Sequence, residues 1–183
     1  MRFRRPRIPP MFGRRPAQRE NFEQRIRIAH QLFAQGQFLE SAAQFEELAL
    51  IAENRNGPRA PRFYLQAGRA LMYAGQTGRG MILLDKGRSM MLSGSRKDLL
   101  PIILQRISSE LKELGLLEEA ELVASWIKQN QLQPAVQTPT FHKHLPSLCP
   151  FCGGPVHPEE VEWFENGTAE CEYCGTVLQE PAQ

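Results

Sequence analysis

Apolar residues recur at helical spacing through most of the chain. Between Glu23 and Ala34, the residues Ile26, Ile28, Ala29, Leu32 and Phe33 keep to one broad face, and the run stops near Gly36. Phe38, Leu39, Ala42, Phe45, Leu48 and Ala49 continue in a second amphipathic run, which Asn56-Gly57-Pro58 breaks. A third run covers 62–74 and stops at Gly75, and a fourth covers 79–92. A fifth covers 97–114 and stops at Gly115, and a sixth covers 117–129. The pattern predicts a mainly α protein, with six helices inside residues 20–132.

The six helices form three pairs that look alike. The turn glycines Gly36, Gly75 and Gly115 stand 39 and 40 residues apart. Eight positions before each turn stand Ile28, Ala67 and Ile107, each followed by a small residue: Ala29, Gly68 or Ser108. Five positions after each turn stand Ser41, Gly80 and Ala120, again small. Small residues at matched positions predict close approach of the two helices in every pair.

The first unit, Ala29-His-Gln-Leu-Phe-Ala-Gln-Gly-Gln-Phe-Leu-Glu-Ser-Ala-Ala-Gln-Phe-Glu-Glu-Leu-Ala49, resembles the tetratricopeptide repeat family, and Leu111 to Ala120 resembles it in part. The spacing exceeds the family's usual repeat of about 34. The proline that closes such a repeat is replaced by Glu53, Leu92 and Leu132. The resemblance implies three antiparallel helix pairs in a right-handed solenoid, whose first helices line a concave groove. In that register the peptide-binding groove consists of Arg27, His30, Phe33, Arg62, Arg69, Met72, Tyr73, Arg106 and Lys112. Cations beside aromatic and Met anchors suit a peptide carrying acids and an apolar residue.

Periodicity changes near the C-terminus. Residues 161–164 can form a strand, Asn166-Gly167 a two-residue turn, and 168–171 the return strand. Flanking them are Cys149-Pro150-Phe151-Cys152-Gly153 and Cys171-Glu172-Tyr173-Cys174-Gly175, which hold all four cysteines of the chain. Two C-x-x-C turns supply the four thiolates of a tetrahedral metal site. A unit of about thirty residues buries too little apolar surface to fold alone, and a metal makes up the shortfall. Residues 148–179 resemble the zinc ribbon family, which implies a small β module holding one zinc ion through Cys149, Cys152, Cys171 and Cys174. Iron is the rival metal for a Cys₄ set. Four cysteines close the coordination sphere, so the site is expected to be structural.

Charge adds two features. Residues 1–19 hold seven arginines, four prolines and no acid, and read as a disordered basic arm. Residues 149–183 hold seven glutamates and no Lys or Arg, although the whole chain is only +2. Residues 133–147 read as a proline-bearing linker before the ribbon and short tail of 148–183. No apolar run is long enough to span a membrane and no secretory signal is present, so a cytoplasmic location is expected. Gly75-Gln-Thr-Gly-Arg-Gly80 lacks the Lys-Ser/Thr ending of a phosphate loop, and the adjacent glutamate pairs do not face each other on a helix. No catalytic constellation emerges, and the chain is not expected to be an enzyme. The leading expectation is an adaptor that binds protein segments in the helical groove and docks through the ribbon. The alternative is a nucleic-acid-associated factor that uses the basic arm.

Overall fold

The computed structural model describes residues 16–94, 97–130, 145–151, 153–158, 161–163, 168–171 and 177–178. Six helices follow one another: α1 (Pro16–Ala34), α2 (Phe38–Glu53), α3 (Ala60–Tyr73), α4 (Thr77–Leu92), α5 (Leu100–Glu113) and α6 (Leu117–Gln129). A single 3₁₀ turn, Lys97–Leu99, leads into α5. The protein is mainly α among the described residues. Each helix packs on the next, and the α4–α5 junction is the slightest of these contacts.

Four helix starts differ from the periodicity, those of α1, α3, α4 and α5. α1 starts at Pro16, so residues 16–19 belong to the helix and not to the basic arm. Proline suits a first helical turn because its missing N–H has no intrahelical partner there anyway. Pro61 and Pro101 likewise stand in the first turns of α3 and α5. Residues 1–15 of the arm lie outside the described residues, as do residues 131–144, which include 133–144 of the linker.

The turns inside the three pairs are the same structure repeated. Gly36, Gly75 and Gly115 take φ of 75°, 74° and 78°, a left-handed conformation that a Cβ would strain. In each turn the glycine N–H bonds three residues back, to Phe33, Met72 or Lys112 O. The next N–H bonds five residues back, to Leu32, Leu71 or Leu111 O, which completes a Schellman cap. The following helix starts identically, with Ser41, Gly80 and Ala120 N–H donating to Gln37, Gln76 and Leu116 O.

The small residues meet as their spacing predicts. Ser41 Oγ donates to Ala29 O at 2.9 Å, and Ser108 Oγ donates to Ala120 O at 2.9 Å. These are the same pair of repeat positions with donor and acceptor exchanged. In the middle pair both positions are glycine, and a Cβ built on Gly68 would lie 2.8 Å from Gly80 O. The three helical hairpins thus share one turn and one contact.

Among the described residues, two large apolar clusters and a small one of Ala42, Ala70 and Leu71 fill the interior. One joins Leu65 and Met72 of α3 and Leu84 of α4 to Leu104, Leu111 and Trp126 of the last pair. The other joins Ile26, Phe45, Leu48 and Phe63 of α1–α3 to Val156, Val161, Ala169 and Leu178 of the C-terminal segment. Each fully buried Phe or Leu contributes about 1.5–3 kcal/mol. The C-terminal segment therefore shares a core with the first three helices and does not hang clear of them.

That segment carries three two-residue strands, β1 (Glu162–Trp163), β2 (Ala169–Glu170) and β3 (Val177–Leu178). They form an antiparallel sheet in the order β1-β2-β3. Glu162 faces Glu170, Trp163 faces Ala169, and Ala169 faces Leu178. The first two strands are the expected hairpin, and its Asn166-Gly167 turn lies outside the described residues.

Candidate metal centre and arginine-rich helical face

The first cysteine turn is a closed hairpin. Leu148 pairs with Pro155 across it, Cys149 N–H donates to Gly154 O at 2.7 Å, and Val156 N–H donates to Ser147 O at 2.9 Å. Gly153, at φ 73°, donates its N–H to Cys149 O at 2.8 Å. Glycine takes this conformation without strain, so Gly153 lets the chain turn tightly back on Cys149. Cys171 follows β2 directly, and residues 172–176, before β3, lie outside the described residues. Cys149 and Cys171 are both buried, in one cluster with Val156 and Val161. Cys152 and Cys174 lie outside the described residues, and among the described residues no three metal-ligating side chains gather. Two buried thiols, each opening a C-x-x-C turn and one followed by a left-handed glycine, fit a thiolate-bound metal.

Arginines from the helices meet both cysteine turns. Arg62 of α3 is only 4% exposed, and its Nη1 donates to Cys171 O at 2.8 Å. Arg27 of α1 donates Nε to Phe151 O at 2.9 Å, inside the first turn. The Arg59 guanidinium, just before α3, lies 5.4 Å from the centroid of the Phe151 ring. The sequence had assigned Arg27 and Arg62 to the peptide groove. Both hold backbone of the chain's own C-terminal segment.

Four others of the nine predicted groove residues come together. Phe33 meets Tyr73 edge-on at 5.1 Å, and Phe38 contacts both rings at 5.2 and 5.1 Å. Arg69 lies 4.3 Å from the Phe33 centroid and holds both oxygens of Glu110, one of them at 2.8 Å. Arg106 Nε donates to Glu110 Oε1 at 3.2 Å. Burial pushes the Tyr73 hydroxyl pKa up, with the Glu110 charge adding to the rise. The remaining three scatter. His30 is edge-on to Phe45 at 5.0 Å, Met72 is buried in the cluster beneath the last pair, and Lys112 is exposed near the end of α5.

Sequence reasoning missed Arg59, Phe38 and Glu110. Glu110 could have been found, since it stands four residues after Arg106 on a helix. Phe38 stands just beyond a turn glycine, where helix-face counting begins again. No sequence signal singles out Arg59.

A polar tie crosses α2, α3 and α4. The Tyr64 hydroxyl donates to Glu53, while Lys86 Nζ donates to Tyr64 Oη at 2.8 Å and to Glu53 Oε2 at 3.0 Å. The Tyr64 hydrogen bond, then that of Lys86, holds the Glu53 carboxyl below the usual range. Burial, then the Glu53 contact, pushes the Tyr64 pKa up. The tyrosine is thereby kept protonated, which suits a link between helices and disfavours a base.

Compared with protein-family models, curated proteins and solved structures, the chain matches none. Among the described residues, no helix is long and apolar enough to cross a membrane.

Proposed function

We propose that the protein is a non-catalytic adaptor. In this reading its three helical hairpins are tetratricopeptide-like repeats stacked as a right-handed solenoid, and the side formed by α1, α3 and α5 takes a protein segment. The C-terminal segment is a structural zinc ribbon, with Cys149, Cys152, Cys171 and Cys174 as ligands, and serves as a second docking module. Zinc would supply the folding free energy that so small a module lacks.

The observation that carries this reading is the threefold recurrence of one turn and one helix–helix contact, at Ala29/Ser41, Gly68/Gly80 and Ser108/Ala120. Repeats of this kind stack into an extended surface with no inherent catalytic site. On that side, apart from the contacts of Arg27 and Arg62, stand Phe33, Tyr73, Arg69 and Arg106, with Phe38 of α2 beside the two rings and Glu110 between the two guanidinium groups. Aromatic rings beside two guanidinium groups suit a segment in which an apolar side chain neighbours an acid.

The test is fluorescence anisotropy of the full chain with labelled peptides that place Asp or Glu beside Leu or Phe, and with basic scrambles as controls. The acidic peptides bind, and Arg106→Gln weakens them. Equal binding of acidic and basic peptides at low salt refutes the reading. A single-stranded oligonucleotide that binds only when residues 1–15 are present transfers the function to the nucleic-acid reading.

A further inference from the structure

Arg62 is a cation almost wholly removed from water, 4% exposed. A buried guanidinium persists only where hydrogen bonds and opposing charge compensate its lost hydration. Its Nη1 is spent on Cys171 O, at the second cysteine turn. Arg27 is spent on Phe151 O, between Cys149 and Cys152 of the first turn. Arg59 covers the Phe151 ring beside it. Arg27 of α1, Arg62 of α3 and Arg59 just before α3 thus reach Phe151 and Cys171, and the two hydrogen bonds span 124 and 109 residues of chain.

We infer that Arg62, Arg27 and Arg59 are positioning residues for the cysteine site, so that metal binding and seating of the C-terminal segment on α1 and α3 form one linked equilibrium. The inference rests on the zinc reading above. Zinc with four thiolates carries a formal charge of about −2, which three guanidinium groups offset from the helical side. A hydrogen bond to one carbonyl in each turn sets how the two turns face each other, and outer groups of this kind orient metal ligands. The seat is also apolar: Val156 and Val161 share a buried cluster with Ile26 and Phe63. Linkage is reciprocal, so whatever loosens the seat weakens the hold on metal, and removing metal loosens the seat. An acidic segment that captured Arg27 and Arg59 would by the same linkage favour metal release.

The experiment uses the full zinc-loaded chain and follows zinc transfer to an excess of chromophoric chelator. Arg62→Met speeds release roughly ten- to a hundredfold, and Arg62→Lys, which keeps one donor, recovers part of the loss. Arg62 is buried, so the double variant Arg27→Gln/Arg59→Gln is the second arm. It changes more exposed side chains, keeps its helical circular dichroism and also releases faster. Arg88→Met, which removes a cation 4.9 Å from the Trp126 ring of α6 and leaves Arg27, Arg59 and Arg62 in place, lowers Tm without changing release. Hydrogen exchange read by mass spectrometry adds a structural readout: chelation raises exchange in α1 and α3 but not in α5 and α6. Wild-type release rates in both arginine arms overturn the inference, as does an exchange increase confined to residues 145–178. One zinc per wild-type chain with unchanged release sinks the linkage alone, whereas absence of bound zinc sinks the zinc reading with it.

Discussion

Replacing Gly68 by alanine tests the central helix contact, because two opposing effects have different sizes there. Alanine in a helix interior is favoured over glycine by about 0.8–1 kcal/mol. Against this, a Cβ on Gly68 would stand 2.8 Å from Gly80 O, 2.9 Å from Leu84 N and 2.8 Å from Leu84 Cγ. The first two are backbone atoms, so relief requires α3 and α4 to part by several tenths of an ångström along a contact that also includes Gly87. A Cβ on Gly87 would in turn lie 2.8 Å from Pro61 O. Overpacking of this kind costs about 1–3 kcal/mol and exceeds the propensity gain. The expected net loss is up to about 2 kcal/mol, which lowers Tm by up to roughly 8 °C for a domain of this size. Gly78→Ala is the control. It lies in the first turn of the same α4, and its Cβ would meet nothing within 4 Å, so propensity acts alone and Tm rises slightly. Thermal unfolding followed by circular dichroism at 222 nm reads both variants. If Gly68→Ala raises Tm as Gly78→Ala does, α3 and α4 are not in contact at these positions and the repeat register is wrong.

Three further outcomes are expected. Ser41→Ala and Ser108→Ala each remove one buried hydrogen bond to the facing helix and should each cost about 0.5–1.5 kcal/mol in urea unfolding; unequal losses, with one near zero, would count against equivalence of the first and third hairpins. The Glu53 pKa is depressed from its ordinary 4.5, so its stabilisation holds above that pH and is lost as pH falls through the lower folded value. Those of Tyr64 and Lys86 are raised from 10.0 and 10.5, so theirs holds below about pH 10 and is lost as pH rises further. Tyr64→Phe should flatten both limbs of a Tm-versus-pH profile, and an unchanged profile would deny the tie its role. Elemental analysis should find one zinc per chain, and Cys171→Ser should abolish it; a red protein would indicate iron instead.

Periodicity alone located six helices, because an amphipathic helix must repeat its apolar residues at the pitch that faces the core. It also located the three turns, since Gly36, Gly75 and Gly115 adopt a left-handed conformation that few other residues tolerate. The matched small residues predicted where helices touch, because close approach admits no large side chain. The hairpin of β1 and β2 was readable from its strand and turn residues, and the first cysteine turn from its spacing and its glycine. The facing of the polar side chains was not readable. Arg27 and Arg62 occupy groove positions by register, yet each meets a backbone carbonyl more than a hundred residues away. A helical pattern tells which side of a helix is apolar, but an arginine on another side reads the same whether water, a peptide or the chain's own C-terminus completes its hydrogen bonds. Arg69 meets Glu110 only because the tertiary fold brings α3 to α5, and Arg62 is buried only because α3 meets the C-terminal segment. Local geometry is set by steric rules that act within a few residues, and the sequence carries those directly. Long-range electrostatic partners are set by which surfaces the whole fold brings together, and those only the tertiary structure decided.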